Sequence, residues 1–168
     1  PDAVIRDVTV EDGSTGIYLL LSPRARLDHV DGYDFHGPFP RGQFVQFNQS
    51  PDGALTNFYA HNNAARSHVE DIINVHASRN VRIENGVIDG NNSRSGVAVM
   101  FEDGSNDGLA RNIDVIRQAN GAFSAFSPGV DFIDVRAFDS INHDQGRGHP
   151  SSNGVQFNVA ATGARFDD

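Results

Sequence analysis

Residues 79–101 read Arg79-Asn-Val-Arg-Ile-Glu-Asn-Gly-Val-Ile-Asp-Gly-Asn-Asn-Ser-Arg-Ser-Gly-Val-Ala-Val-Met-Phe101. Three short apolar runs stand in it: Val81 and Ile83, then Val87 and Ile88, then Val97, Val99 and Phe101. A polar bend at Asn85-Gly86 parts the first two, and a polar loop over residues 89–95 parts the second from the third. β-Branched runs of this length predict strands, because a helix needs a 3.6-residue apolar rhythm sustained beyond about ten residues.

The unit recurs. Asn85 is preceded two places earlier by an apolar residue and followed by apolar residues one and three places on. Asp7, His29, Asn57, Asn112 and Asp134 share that setting, and Asp168 follows Phe166 in the same way. The intervals along this series are 22, 28, 28, 27, 22 and 34 residues. The third apolar run recurs too, with its first inward residue expected at Ile17, Val45, Ile73, Val97, Phe123 and Val155, often just after a Gly. From that strand to the next bend the spacing is nearly constant, whereas the other corner absorbs the insertions. In stacked repeats, such insertions map to the binding face.

These observations predict an all-β chain, a right-handed single-stranded parallel β-helix of six to seven coils with three strands per coil, filling residues 1–168. Strands stack on their equivalents at about 4.8 Å, and no coil buries its apolar face alone. The bend series predicts a polar column in which the three Asn amides bond from coil to coil. A leucine-rich horseshoe would require a helical segment per repeat, and a sandwich would not explain the repeated Asn/Asp bend.

Composition agrees and sets limits. Apolar content is 38%, with seventeen Gly and many Asn and Asp, as a turn-rich, many-stranded chain requires. A formal charge of −9 disfavours nucleic acid and anionic membranes as partners. All thirteen basic residues are Arg, which excludes a Lys base or Schiff base, and the absence of Cys excludes disulfide and thiolate chemistry. The longest apolar run, Ile17–Leu21, is far short of the roughly 20 residues of a membrane helix. Neither end carries the polar cap a solenoid needs. The expectation is therefore a portion of a longer β-helix, or a protein partner covering the ends.

This organisation resembles the right-handed parallel β-helix proteins of the pectate-lyase-like superfamily. Within it, residues 37–47 (Gly-Pro-Phe-Pro-Arg-Gly-Gln-Phe-Val-Gln-Phe), residues 68–75 (His-Val-Glu-Asp-Ile-Ile-Asn-Val) and the Asp89…Gly96 loop are similar to a bacterial group of right-handed β-helix proteins. That closer likeness covers residues 36–105. The resemblance implies an extracellular or cell-surface, carbohydrate-associated protein whose site lies on the third-strand sheet and the loops entering it. The Gly-His-Gly motif of β-helical polygalacturonases and the Asp-Pro-His signature of alginate epimerases are missing.

Alternation along the third strand predicts two outward columns. The first is Tyr18, Gln46, Asn74, Ala98, Ser124 and Gln156; the second is Leu20, Asn48, His76, Met100, Phe126 and Asn158. Amides beside His and aromatic rings suit sugar hydroxyls and ring faces. The entering loops add Arg41, His68, Glu70, Asp71, Arg94 and His149. Glu70 and Arg94, at one offset from their strands, are expected as a stacked ion pair, a structural bridge when exposed. Arg41 and Arg94 suit a clamp for a uronate carboxylate.

The expected substrate-binding set is thus Arg41, Gln46, Asp71, Asn74, His76, Arg94 and Gln156. Candidates for catalysis are Arg41, Glu70, Asp71, Asp89 and Arg94, in a polysaccharide lyase or a glycoside hydrolase. The ligand expected is an acidic polysaccharide or oligosaccharide. The alternative is a non-catalytic structural or adhesive solenoid or assembly subunit. No cofactor is required; Asp103 and Asp107, with Asp114, imitate a Ca²⁺ loop but lack the helix that follows one. Two Asn-X-Ser acceptors (Asn48 and Asn91) and a His143-Asp144…His149 loop carry weaker signals.

Overall fold

The computed structural model describes residues 2–37, 42–63, 65–93, 95–139, 153–157 (main chain) and 161–167. Thirteen strands run in order: β1 Val4–Glu11, β2 Ile17–Leu20, β3 Arg26–Tyr33, β4 Val45–Asn48, β5 Ala54–His61, β6 Ile73–His76, β7 Arg82–Asn91, β8 Val97–Glu102, β9 Leu109–Gln118, β10 Gly121–Ala125, β11 Asp131–Phe138, β12 Asn153–Phe157 and β13 Arg165–Asp167. There is no helix among the described residues. The odd strands form a seven-stranded sheet and the even strands a six-stranded one, each ordered by sequence. Every pairing is parallel. Parallel neighbours need a long connection between them, and here each connection passes through the other sheet.

The core lies where the inward faces meet. Leu27, Leu55, Ile83, Ala110 and Phe132 occupy one register column and are all buried. Phe47, Val75, Phe101 and Ala125 form another on the six-stranded sheet. Each buried Leu, Ile or Phe contributes about 1.5–3 kcal/mol relative to exposure. Neighbouring columns exchange volume: Gly86 is a Gly because a Cβ there would lie 2.2 Å from the Phe58 ring.

Among the described residues, each member of the polar bend series is left-handed. Asp7, His29, Asn57, Asn85, Asn112 and Asp134 have φ between 51° and 60°. Asn and Asp tolerate this region better than most L-residues. Pairing skips the bend and resumes, as from Asp28↔Thr56 to Val30↔Phe58. The first two apolar runs are therefore one strand, so each repeat has two strands where the sequence predicts three. The amides bond as expected: Asn112 Nδ2 donates to Asn85 Oδ1 at 3.0 Å, and Asn85 Nδ2 to Asn57 Oδ1 at 3.5 Å. Asn57 Nδ2 then donates to Asp28 Oδ1 at 2.8 Å, and His29 turns to the same carboxylate.

A second row was not visible in the sequence pattern. The main-chain N–H groups of Ser22, Ser50, Ser78 and Ser105 donate to the hydroxyls of Ser50, Ser78, Ser105 and Ser127 at 2.8–3.1 Å. Ser50, Ser78, Ser105 and Ser127 are fully buried. The hydroxyls of Ser50, Ser78 and Ser105 in turn donate to main-chain carbonyls, those of Asn48, His76 and Glu102 among them. The row satisfies the corner where strand pairing stops. Arg24, Asp52, Asn80, Asp107 and Gly129, two places after each Ser, all take positive φ.

One strand departs from the expected register. Ile73 pairs with Val99, not Val97, and Val99 with Phe123. The cause is Gly96, whose absent Cβ would stand 1.1 Å from the Glu70 carbonyl oxygen. That Gly serves close approach to the neighbouring loop and does not mark the common start of the strand.

Removing one hydroxyl from the serine row leaves a buried N–H without an acceptor. Ser78→Ala is expected to lower unfolding free energy by about 1–3 kcal/mol, measured by urea titration. The exposed Ser95→Ala serves as the comparison and should stay within about 0.5 kcal/mol of the parent.

Candidate functional site

The corrected register rebuilds both outward columns of the six-stranded sheet. Tyr18, Gln46, Asn74, Met100 and Ser124 share the first, and Leu20, Asn48, His76 and Glu102 the second. Ala98 therefore leaves the first column and Met100 moves into it, while Glu102 replaces Met100 beside His76. The first column is also less open than an outward face predicts: Gln46, Asn74, Met100 and Ser124 are all buried.

Polar side chains knit three strands together there. Gln46 Nε2 donates to Asn74 Oδ1 at 3.0 Å. Asn74 Nδ2 donates both to Asp71 Oδ2 at 2.8 Å and to Glu102 Oε1 at 2.9 Å. One amide thus bridges the two carboxyl groups through its two N–H bonds. Asp71 Oδ1 accepts the Val97 N–H at 2.9 Å. On the open side, His76 Nδ1 lies 3.2 Å from Asp103 Oδ2 and 3.7 Å from Glu102 Oε1. Glu70, half-buried, accepts from Gln43 Nε2 at 3.2 Å. Asn48 Nδ2 donates to the Tyr18 hydroxyl, and Asn48 Oδ1 is buried without a partner.

The environments differ sharply. Asp71 is 4% exposed, and burial, with Glu102 and Glu70 nearby, pushes its carboxyl up to about 7 despite the two donors it faces. Glu102 and His76 have side chains about one-third exposed, and Asp103 is open to solvent. An acid whose proton affinity is raised by burial thus lies beneath Glu102, His76 and Asp103, with the Asn74 amide joining it to Glu102.

Of the expected residues, the structure brings Gln46, Asp71, Asn74 and His76 together and sets Glu70 beside them. Glu102 is the participant that sequence reasoning missed. The signal was the length of the β8 run, six residues against four in β4 and β6, which admits more than one frame. Asp89 stands apart, on β7 in the other sheet. Arg117 grips it with Nε at 2.7 Å and Nη2 at 2.6 Å, and His61 lies 3.2 Å away. Arg41, Arg94, His143, Asp144, His149, Asn158, Asp168 and the Gln156 side chain lie outside the described residues. The offset shared by Glu70 and Arg94 does not survive the new register, which gives that place to Gly96.

The Ca²⁺ pattern is taken up differently. Asp103 faces His76, Asp107 belongs to the serine corner, and Asp114 pairs with Arg136. No group of three or more His, Cys, Asp or Glu side chains converges on a metal position among the described residues. No helix among them is long and apolar enough to cross a membrane. No protein-family model, curated protein or solved structure matches the chain.

Raising the Asp71 pKa above its ordinary value of 3.8 means the folded state holds a proton that the unfolded state releases. The Asp71 contribution is therefore least unfavourable below about pH 4, declines as pH rises, and is fully unfavourable above about 7. Urea midpoints measured from pH 4.5 to 8 should fall more steeply in the parent than in Asp71→Asn. Parallel profiles would contradict the buried proton.

Proposed function

We propose that the protein is an extracellular, carbohydrate-associated right-handed parallel β-helix of six to seven coils, of the pectate-lyase-like kind. A polysaccharide lies along the outward face of its six-stranded sheet. The observation that carries this reading is the Gln46–Asn74–Asp71–Glu102–His76–Asp103 network, which spans three strands and turns from buried to open within one site. Carboxylates and amides fixed by one another accept and donate to glycan hydroxyls without reorganising.

His76 is the group that presents its imidazole to the glycan. Its Nδ1 is occupied by the flanking carboxylates, and no partner of Nε2 stands among the described residues. Glu102 is the exposed member of the carboxyl pair, and Asp71 beneath it is a positioning residue that holds Asn74. Two carboxyl groups joined through one amide are the kind of pair from which glycosidases draw their acid and base. The burial of Asp71, however, assigns direct contact with substrate to Glu102 and His76. The described part of this face offers acids and amides; a uronate clamp here rests on Arg41 and Arg94.

A glycan array followed by titration of the best ligand tests the reading. His76→Ala and Glu102→Gln should each weaken binding about tenfold or more, while Arg136→Gln on the other sheet leaves it unchanged. Retention of no glycan, or equal retention by all three variants, would sink the proposal.

A second reading, a structural solenoid whose end is covered by a further coil or another chain, has its own observation. Among the described residues, strands β1 and β2 each pair on one side only, and Val4, Leu20 and Leu21 are 48–66% exposed on or beside them. Exposed edge strands with apolar side chains recruit further strands. On this reading, sedimentation velocity shows concentration-dependent association that Leu20→Lys reduces.

A further inference from the structure

The seven-stranded sheet carries a recess on its outer side that the carboxyl network does not reach. Arg6, Arg24, Arg26 and Arg82 line it together with Asp28 and Asp52, over a floor that includes Ala54. Arg24 is already paired with Asp2 at 2.6 Å, which leaves three guanidinium groups around one depression in a chain of formal charge −9.

Register explains the opening. Arg26 pairs with Ala54, and Ala54 with Arg82. The two arginines therefore stand two strand spacings apart, about 9.6 Å at the main chain, with only a methyl group between them. That gap admits one small anion reached from both sides. Other arginines of this sheet have an acid in the neighbouring register position, as Arg6 has Asp28, Arg136 has Asp114 and Arg165 has Asp131, whereas Arg26 and Arg82 face Ala54.

The arginines are held in ways that leave donors over. Arg26 Nη1 donates to the carbonyls of Ala25 at 3.1 Å and Asp52 at 2.6 Å. These are neutral acceptors, so the side chain is pinned while its charge is not cancelled by direct pairing. No ion pair to Arg6 stands among the described residues. Arg82 gives Nε and Nη2 to Glu84, at 3.2 and 3.0 Å, which leaves Nη1. The recess acids are committed to other donors: Asp28 to Asn57, Thr56 and His29, and Asp52 Oδ1 to Asn80.

We propose that this recess is an oxyanion site, in which a carboxylate or sulfate group is held over Ala54 between Arg26 and Arg82, with Arg6 completing the set. Planar guanidinium forks recognise both groups through paired N–H donors. The negative field of the whole chain is screened beyond about 8 Å at physiological salt, so short-range contacts decide the binding. The site stands on its own geometry and does not depend on the carbohydrate face of the other sheet.

Titration of the full chain with sodium sulfate, with galacturonate and with uncharged galactose, followed through the arginine Nε–Hε resonances, tests it. Saturable shifts of Arg26 and Arg82 are expected with at least one of the two anions and none with galactose. Response to sulfate alone identifies a sulfate ester as the source, and response to galacturonate alone a carboxylate. Arg26→Gln and Arg82→Gln should each weaken binding about tenfold or more, with Arg136→Gln unchanged. Ala54→Asp places a carboxylate between the two arginines and should abolish binding while leaving them in place. Linear shifts without saturation, an equal loss in Arg136→Gln, or parental affinity in Ala54→Asp would overturn the assignment.

Discussion

A residue on β5 exchanges main-chain hydrogen bonds with β3 on one side and β7 on the other, so no repeat satisfies its own backbone. The constraint reaches the corners, where strand pairing stops but the amides remain buried. There the main chain of one repeat finds serine hydroxyls of the next. Buried N–H groups must be matched somewhere, and a hydroxyl does this because it accepts from one repeat and donates to a carbonyl of another. The same closeness explains Gly90, where a Cβ would come within 2.1 Å of the Asn62 carbonyl oxygen.

Stacking equivalent residues at this spacing also governs charge. Like charges in one column repel, and the seven-stranded sheet largely avoids them by setting an acid beside a base across neighbouring strands. Asp89 meets Arg117, Asp114 meets Arg136 and Asp131 meets Arg165. At solvent-exposed positions each pair is worth only about 0–1 kcal/mol, so what the pairing achieves is compatibility in the stack more than stability. Two places depart from it: arginines gather around Ala54, and acids gather around Asn74. Departures from local consistency are where function is expected to reside.

The bend series was legible because it imposes a backbone demand on a single position: six residues spaced 22–28 apart that must take positive φ leave a trace in Asn and Asp usage. Strand identity and the apolar columns followed from alternation. The serine row was harder to read, since Ser22, Ser50, Ser78, Ser105 and Ser127 look like ordinary turn residues until their partners are known. Register failed at β8 for a related reason. Val97, Val99 and Phe101 alternate equally well in frames two residues apart, and only the Glu70 carbonyl against Gly96 selects one. That slip hid Glu102. Asp71 and Asn74 were visible as polar residues in the right corner. Their burial was not, because it arises from side chains of adjacent repeats closing over them.

Burial gives the Asn74 amide a particular role. While Asp71 holds its proton, Asn74 Nδ2 serves one carboxylate, that of Glu102, together with a neutral acid. Loss of that proton leaves one amide between two anions, of which Asp71 is buried where water cannot screen it well. Among the described residues, His76 is the basic group beside Glu102 on the open side. The state of a buried proton is thereby coupled to the charge on the exposed face. An exposed carboxylate without an acid beneath it would carry no such coupling, and Asp103 at the rim is the local example. The distinction between Glu102 and Asp103 therefore does not lie in their own side chains. It lies in which of them shares an amide with Asp71.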